Sequence, residues 1–277
     1  MFGFLFRSLH KKTDDMAFWD HVDVLRHYII RSVLSIVILA ITAFFYKDFL
    51  FNSVILAPSE PSFITYRVLC KLAAFLNMPD LCVTHIPMQL INIELGGQFR
   101  FHMLISFISG IILAFPFIVY QFWSFIKPAL KDNERKNSGG IVFYISILFI
   151  IGVLFGYYVI TPLTINFLAS YQLSSLIVNN ITISSYISTV SGLSLSMGLV
   201  FELPVLIFFL TKIGLITPQF LRKQRKYAII IIFIVAGFIT PSTDMFSQIL
   251  VSLPLYMLYE LSFYIAKRVK REDEKID

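Results

Sequence analysis

Charge is what this chain has least of. Only 14% of its 277 residues are Asp, Glu, Lys or Arg, against roughly 25% for a soluble domain. A chain so poor in charge cannot cover itself with a water-facing surface. Cysteine is nearly absent too, with Cys70 and Cys82 alone and no CxxC pair, which argues against a thiolate metal cluster. The five histidines stand at 10, 21, 27, 85 and 102, with no HExxH and none well placed for Ser194 or Ser196; hydrolase chemistry is not expected. No Gly-rich nucleotide-binding loop occurs, and no linker rich in Gly, Pro or Ser divides the chain. Residues 1–277 therefore read as one domain, not an enzyme, with no cofactor and no metal.

Apolar residues take the place of charge. They make up 57% of the chain, 29 of them Phe, and the mean hydropathy is +0.78. Six apolar spans stand out: Tyr28–Tyr46, Phe101–Phe122, Ile141–Thr161, Val190–Leu210, Tyr227–Ile239 and Ser247–Ala266. Each can cross a hydrocarbon core of about 30 Å. The expected fold is an all-α polytopic membrane protein, six transmembrane helices in one bundle, with the fifth and sixth helices short. The fifth run holds only about thirteen residues, below the ~17–25 normally needed. Its basic flanks, 222–226 before it and Lys267-Arg268 after the sixth span, still favour a crossing pair joined by a turn at 240–244.

Lys and Arg fix the orientation, because they gather on the cytoplasmic side. The N-terminal tail to Arg31, the loops after spans two and four, and the C-terminal tail hold 19 of the 23. Only Lys47, Arg67, Lys71 and Arg100 fall on the other side. Both termini are thus expected in the cytoplasm. The net charge of +6 follows from this topology and requires no nucleic acid. Met1–Leu9 lacks a small-residue cleavage site, so no cleavable signal is expected.

The topology divides the chain into an amphipathic cytoplasmic segment 1–27, an external loop 47–100, cytoplasmic loops 123–140 and 211–226, and a cytoplasmic tail 267–277. Phe18, Val22, Leu25 and Ile29 recur at helical spacing, reading as a helix lying on the inner surface with Trp19 and Tyr28 at the interface. In the external loop, Ile64–Leu76 has the pattern of an amphipathic surface helix and Val83–Glu94 that of an extended ribbon. Cys70 and Cys82 fall there; twelve residues of separation allow a disulfide without demanding one.

One carboxylate sits where it is costly. Glu202 lies inside span four, in Phe201-Glu202-Leu203-Pro204, where a charge costs roughly 2.5–3.5 kcal/mol on insertion scales. Pro204 removes a backbone N–H and loosens the helix beside it. The reading is an intramembrane contact for a proton, a substrate or a partner helix. Gly152 and Gly156 have GxxxG spacing, a mark of close helix approach.

The end of span two is the richest stretch. From Pro116 it continues through Gln121-Phe122-Trp123-Ser124-Phe125, Pro128, Leu130 and Glu134-Arg135. This resembles the first cytoplasmic loop of the TatC family, the multispan receptors of the twin-arginine protein translocase. Other segments agree in order: His21 with Leu25-Arg26, Ala57-Pro58, Phe201 to Val205, Thr240-Pro241 with Asp244, Ser247-Gln248, Pro254, and Tyr259-Glu260. The resemblance covers roughly Phe18 to Ala266.

The resemblance implies a receptor in the bacterial cytoplasmic (inner) membrane that binds twin-arginine signal peptides of folded cargo. It further implies small single-span subunits of the TatA/TatB type as partners, homo- and hetero-oligomers in the lipid bilayer, and export driven by the proton gradient. Glu134 would be the principal carboxylate for the signal arginines, since paired N–H donors match a carboxylate. Phe125 would belong to the same patch, with Gln121, Trp123, Pro128 and Leu130 shaping it and His21 and Arg26 flanking it. The family usually carries a second Glu where this chain has Val24. Asp20 or Asp23 is expected to supply that charge, although a one-residue shift turns a side chain about 100° around a helix. Glu202, with Phe201 and Pro204, would dock a partner's helix. Pro58 and Asp244 would cap the external face, although Asp244 can equally cap span six. Glu260 is expected to pair with a basic residue nearby. The alternative is a proton-coupled secondary transporter using Glu202, but no convincing internal repeat supports it.

Overall fold

The computed structural model describes residues 18–76, 82, 88–127, 139–171, 179–240 and 245–273. They form ten α-helices: α1 (Phe18–Phe45), α2 (Ile64–Leu76), α3 (Gly97–Ile126), α4 (Gly139–Phe155), α5 (Thr161–Ser170), α6 (Ile183–Phe201), α7 (Leu203–Lys212), α8 (Pro218–Lys223), α9 (Arg225–Ile239) and α10 (Met245–Asp273). Five stretches are long and apolar enough to cross a membrane: 23–45, 97–126, 140–170, 183–212 and 247–269. Of the three helices outside these stretches, α9 is the longest, with 15 residues, a length of about 22 Å. It is the short fifth member of a six-helix polytopic bundle. The sixth is not short: α10 runs for 29 residues, because the charged tail from Lys267 continues the helix beyond the apolar span.

Successive spans run antiparallel, which gives the bundle two ends. Gly110 of α3 lies against Ala40 of α1, with 2.8 Å between a Cβ built there and Ala40 Cβ. Tyr28 meets Phe125 at one end of this pair and Phe44 meets His102 at the other. The near end holds the start of α1, the end of α3, and the 209–226 connection. The far end holds 45–64, Gly97 and the start of α6. Basic side chains gather at the near end, including Arg26, Arg31, Lys127, Lys212 and the 222–226 run.

The N-terminal segment differs from the expected surface helix. It is continuous with span one as the single 28-residue helix α1, and no Gly or Pro between Phe18 and Phe45 breaks it. Spans three and four also extend beyond their apolar runs. Thr182 caps α6 by accepting from the Ser185 backbone N–H. Inside α6, Thr189, Ser191 and Ser194 donate to the carbonyls of Ser185, Ile187 and Val190, so polar residues enter the helix satisfied.

Glycine sets the closest crossing. A Cβ on Gly152 would lie 2.7 Å from the Met197 carbonyl oxygen, and one on Gly156 2.9 Å from that of Leu193. In return, Phe149 and Val153 of α4 close on Gly198 of α6. The core continues through Leu193, Met197, Ile232, Ala236, Val251 and Leu255, joining α6 to α9 and α10.

The far end is built differently. Two π-helical segments, Phe49–Ile55 and Gly156–Ile160, leave backbone carbonyls outside the regular ladder. Tyrosine hydroxyls satisfy two in the first segment and two more just beyond the two segments. Tyr157 donates to the Val54 carbonyl at 2.6 Å, Tyr186 to Ile55 at 2.8 Å, and Tyr66 to Pro58 at 3.1 Å and Pro162 at 2.9 Å. The surface helix α2 spans Ile64–Leu76 as its periodicity predicts. Within the segment expected as a ribbon, Gln89–Ile91 pairs in parallel with Asn180–Thr182, with Leu90 opposite Ile181.

Candidate functional site

The near end presents a composite surface from two helices. Phe125, near the end of α3, packs edge-on against Tyr28 of α1, with ring centroids 6.1 Å apart. This contact sets the last turn of α3 beside the first turns of α1. Gln121 is buried, and Trp123 is buried against Phe209 of α7 at 5.7 Å, so these two hold α3 in place. The Trp123 indole N–H has no hydrogen-bond partner among the described residues. On α1, Asp23 and Arg26 are exposed, while Val24 is partly buried. His27 Nδ1 lies 2.8 Å from the Asp23 backbone carbonyl oxygen. Asp20 and His21 fall in α1, but their side chains lie outside the described residues, as do Pro128, Leu130 and Glu134.

Glu202 stands at a break. Its backbone ends α6 and begins α7. Pro204 cannot donate to the carbonyl of Val200, so the chain tightens there: the Glu202 N–H reaches Leu199 O at 3.1 Å. The carboxylate is half-buried, and its Oε1 is buried with no hydrogen-bond partner among the described residues. An orphaned carboxylate oxygen within a membrane helix is costly. It offers an acceptor to any donor that reaches it. Pro204 is buried, and Phe201 packs on Phe155 with centroids 5.5 Å apart. The tight α4–α6 crossing at Gly152, Gly156 and Gly198 lies immediately before this break.

A third cluster was only partly legible. Arg225 Nη2 and Glu260 Oε2 form an ion pair at 2.7 Å, and Tyr256 donates to the other Glu260 oxygen at 3.2 Å. Arg225 also covers the Phe263 ring at 5.0 Å, and Tyr259 donates to the Leu221 carbonyl at 2.7 Å. These contacts fasten the 218–226 connection to α10. The expected pairing of Glu260 is thus identified with Arg225.

At the far end, Pro58 is buried in a single 3-10 turn, Ala57–Ser59, and its carbonyl accepts from Tyr66. Burial pushes the Tyr66 phenol well above the usual tyrosine range. Cys70 and Cys82 are bonded, with Cα atoms 4.2 Å apart. Asp244 lies outside the described residues. Among those described, no three His, Cys, Asp or Glu residues converge as metal ligands would. Sequence reasoning missed Tyr28 as the partner of Phe125, and the hydroxyl roles of Tyr66, Tyr157 and Tyr186. Nothing in their spacing distinguishes them from the chain's other aromatics.

Comparison with known proteins places these features. The family model for the Sec-independent protein translocase protein (TatC) matches residues 20–254. The TatC protein of Blattabacterium sp. subsp. Periplaneta americana is 40% identical over 266 residues, covering 95% of this chain and 100% of its own. That of Carboxydothermus hydrogenoformans is 36% identical over 258 residues, covering 93% and 96%. A crystal structure of the twin-arginine translocase receptor TatC aligns with a TM-score of 0.69 at 29% identity, over 90% of this chain and 99% of that one. A second, in the detergent DDM, gives 0.71 at 30% identity over 89% and 99%. This chain belongs to the TatC family, as a multi-pass membrane component of the Sec-independent protein translocase.

Proposed function

We propose that the chain is the receptor of a twin-arginine translocase in the bacterial inner membrane, with its near end and both termini in the cytoplasm. The distribution of Lys and Arg supports this orientation. It makes 123–140 and 211–226 cytoplasmic loops, 1–27 and 267–277 cytoplasmic segments, and 47–100 the external loop of a single membrane domain.

The observation that carries the reading is the Phe125–Tyr28 contact. It brings the end of α3, from which Glu134 follows, beside the first turns of α1, which carry Asp23. A signal peptide lying there meets the aromatic pair with its apolar part and carboxylates with its guanidiniums. Each arginine can present two parallel N–H donors to a carboxylate, which lysine cannot do. Glu134 is the principal acceptor. Asp23 or Asp20 replaces the charge missing at Val24.

Glu202 then docks the membrane helix of a small single-span subunit of the TatA/TatB type. Its partnerless Oε1 supports this, because a polar group on the incoming helix relieves the cost of leaving it orphaned. Pro58 and Asp244 belong to the caps at the external end of that surface.

Photocrosslinkers placed at 125 and at 134 test the receptor role. A precursor with paired arginines should crosslink from both positions, and a paired-lysine control should not. Equal crosslinking of the two precursors would defeat the proposed recognition.

A further inference from the structure

The far end of the α1–α3 pair carries two adjoining cavities. One, of about 450 Å³, has mixed walls, with Lys47, Asp48, Asn52, Gln98 and His102 facing Phe51, Leu56, Phe101 and Ile183. The other, of about 600 Å³, is an apolar groove along the seam, between Val37, Ile41 and Phe44 on α1 and Phe99, Met103 and Phe107 on α3. Phe99 lines both. The His102 ring stacks on Phe44 at 4.0 Å and its Nε2 lies 3.0 Å from the Phe44 carbonyl oxygen, forming the wall between them.

Depth identifies what such a pair of cavities can hold. Phe99, which lines both cavities, is exposed, as are Phe45, Tyr46 and Phe49 on either side of Lys47 and Asp48 in the chain, and exposed aromatics mark the headgroup level of a bilayer. The groove descends from there. From Phe99 to Phe107 is about 12 Å along a helix, most of one leaflet of a hydrocarbon core of about 30 Å.

Charge narrows the chemistry. Arg100 stands at the mouth of the groove, but Glu94 pairs with it at 3.0 Å and its guanidinium lies over Phe101. Lys47 and Asp48 remain, one cation and one anion side by side; the Asp48 carboxylate makes no capping bond to the segment it precedes. Neither forms a salt bridge among the described residues. A purely anionic headgroup would leave Asp48 facing like charge. A zwitterion satisfies both, and one whose cation is a primary ammonium also brings N–H groups that donate to the carboxylate, which a quaternary ammonium lacks.

We infer that this seam binds a phospholipid with a phosphoethanolamine headgroup. Its phosphate faces Lys47, its ammonium faces Asp48, and one acyl chain lies in the groove. The amides of Asn52 and Gln98 complete the headgroup pocket.

The test uses the full chain in nanodiscs of mixed phosphatidylethanolamine and phosphatidylglycerol. A trace of one or the other lipid carries a diazirine on its acyl chain, and labelled peptides are mapped by mass spectrometry. The phosphatidylethanolamine probe should label 37–52 and 98–107 at least fivefold more than the phosphatidylglycerol probe. Lys47→Ala with Asp48→Ala should reduce that labelling to the level seen on 225–239, and Met103→Trp, which fills the groove, should do the same. Should a variant fail to fold, unlabelled phosphatidylethanolamine should displace the wild-type label at a lower fraction than phosphatidylglycerol. Equal labelling by both probes, equal displacement, or labelling no higher than on 225–239 would mean ordinary annular lipid and overturn the inference.

Discussion

The Tyr186 hydroxyl donates to the Ile55 carbonyl at 2.8 Å, joining the start of the fourth transmembrane helix to the π-helical turn at the top of the first. Both residues are buried. Tyr186→Phe leaves that carbonyl without a partner and away from water, at a cost of about 1–3 kcal/mol. Thermal unfolding of the purified protein should show a clear drop in Tm. An unchanged Tm would mean that water already serves the carbonyl.

Tyr66 makes the same kind of contact at the cap, and its burial adds a pH dependence. Its folded pKa is raised, from an unfolded value of about 10. The neutral phenol is the form that the fold favours. The associated stability is therefore complete below about pH 10 and is lost as pH rises above it. Tyr66→Phe should lower Tm at neutral pH yet flatten the decline between about pH 10 and 11.5. Parallel alkaline declines in both proteins would contradict this.

Gly152 and Gly192 make a matched pair for the helix crossing. A methyl at 152 meets the Met197 carbonyl at 2.7 Å, whereas one at 192 meets nothing within 4 Å. Gly152→Ala should cost about 1–3 kcal/mol through overpacking. Gly192→Ala should be neutral or stabilise by up to about 1 kcal/mol. Equal effects in thermal unfolding would show that the α4–α6 contact is looser than the geometry requires.

Arg225 and Glu260 are partly exposed, with side chains 40% and 23% accessible, so solvent screens much of their attraction. A double-mutant cycle on Arg225→Ala and Glu260→Ala should return a coupling of about 1 kcal/mol. Additive single effects would make the pair incidental to holding 218–226 against α10.

Glu202 separates docking from proton transfer. As a polar anchor it should tolerate Gln, which keeps an acceptor oxygen, while Glu202→Leu should lower crosslinking to a single-span partner several-fold. A carrier that must protonate this carboxylate in each cycle would lose function with Gln. Glu202→Gln behaving like Glu202→Leu would favour the carrier.

What the sequence made legible was whatever a short-range pattern encodes. The 3.6-residue period delimited α2 at Ile64–Leu76, and the spacing of Gly152 and Gly156 marked a real close approach. Glu202 stood out because a lone carboxylate in an apolar run is expensive. The π-helical turn at 49–55 was not legible, because the tyrosines that serve its carbonyls come from 157 and 186, far off in sequence. The start of α6 was missed because Ser184, Ser185, Ser188 and Thr189 look like loop residues until the Thr182 cap and the Thr189 back-bond to Ser185 are seen. The patch at the near end was half legible: Phe125 by motif, Tyr28 only through the packing of α1 on α3.

The most direct measurement is equilibrium binding of a fluorescent signal peptide to the purified protein in nanodiscs, with paired arginines or paired lysines. The wild type should bind the arginine peptide at least tenfold more tightly, a difference of about 1.4 kcal/mol. Phe125→Ala should weaken arginine-peptide binding, Glu134→Gln should abolish the discrimination, and Glu202→Gln should leave it intact. Discrimination that survives Glu134→Gln, or that disappears with Glu202→Gln, would contradict recognition at the near end.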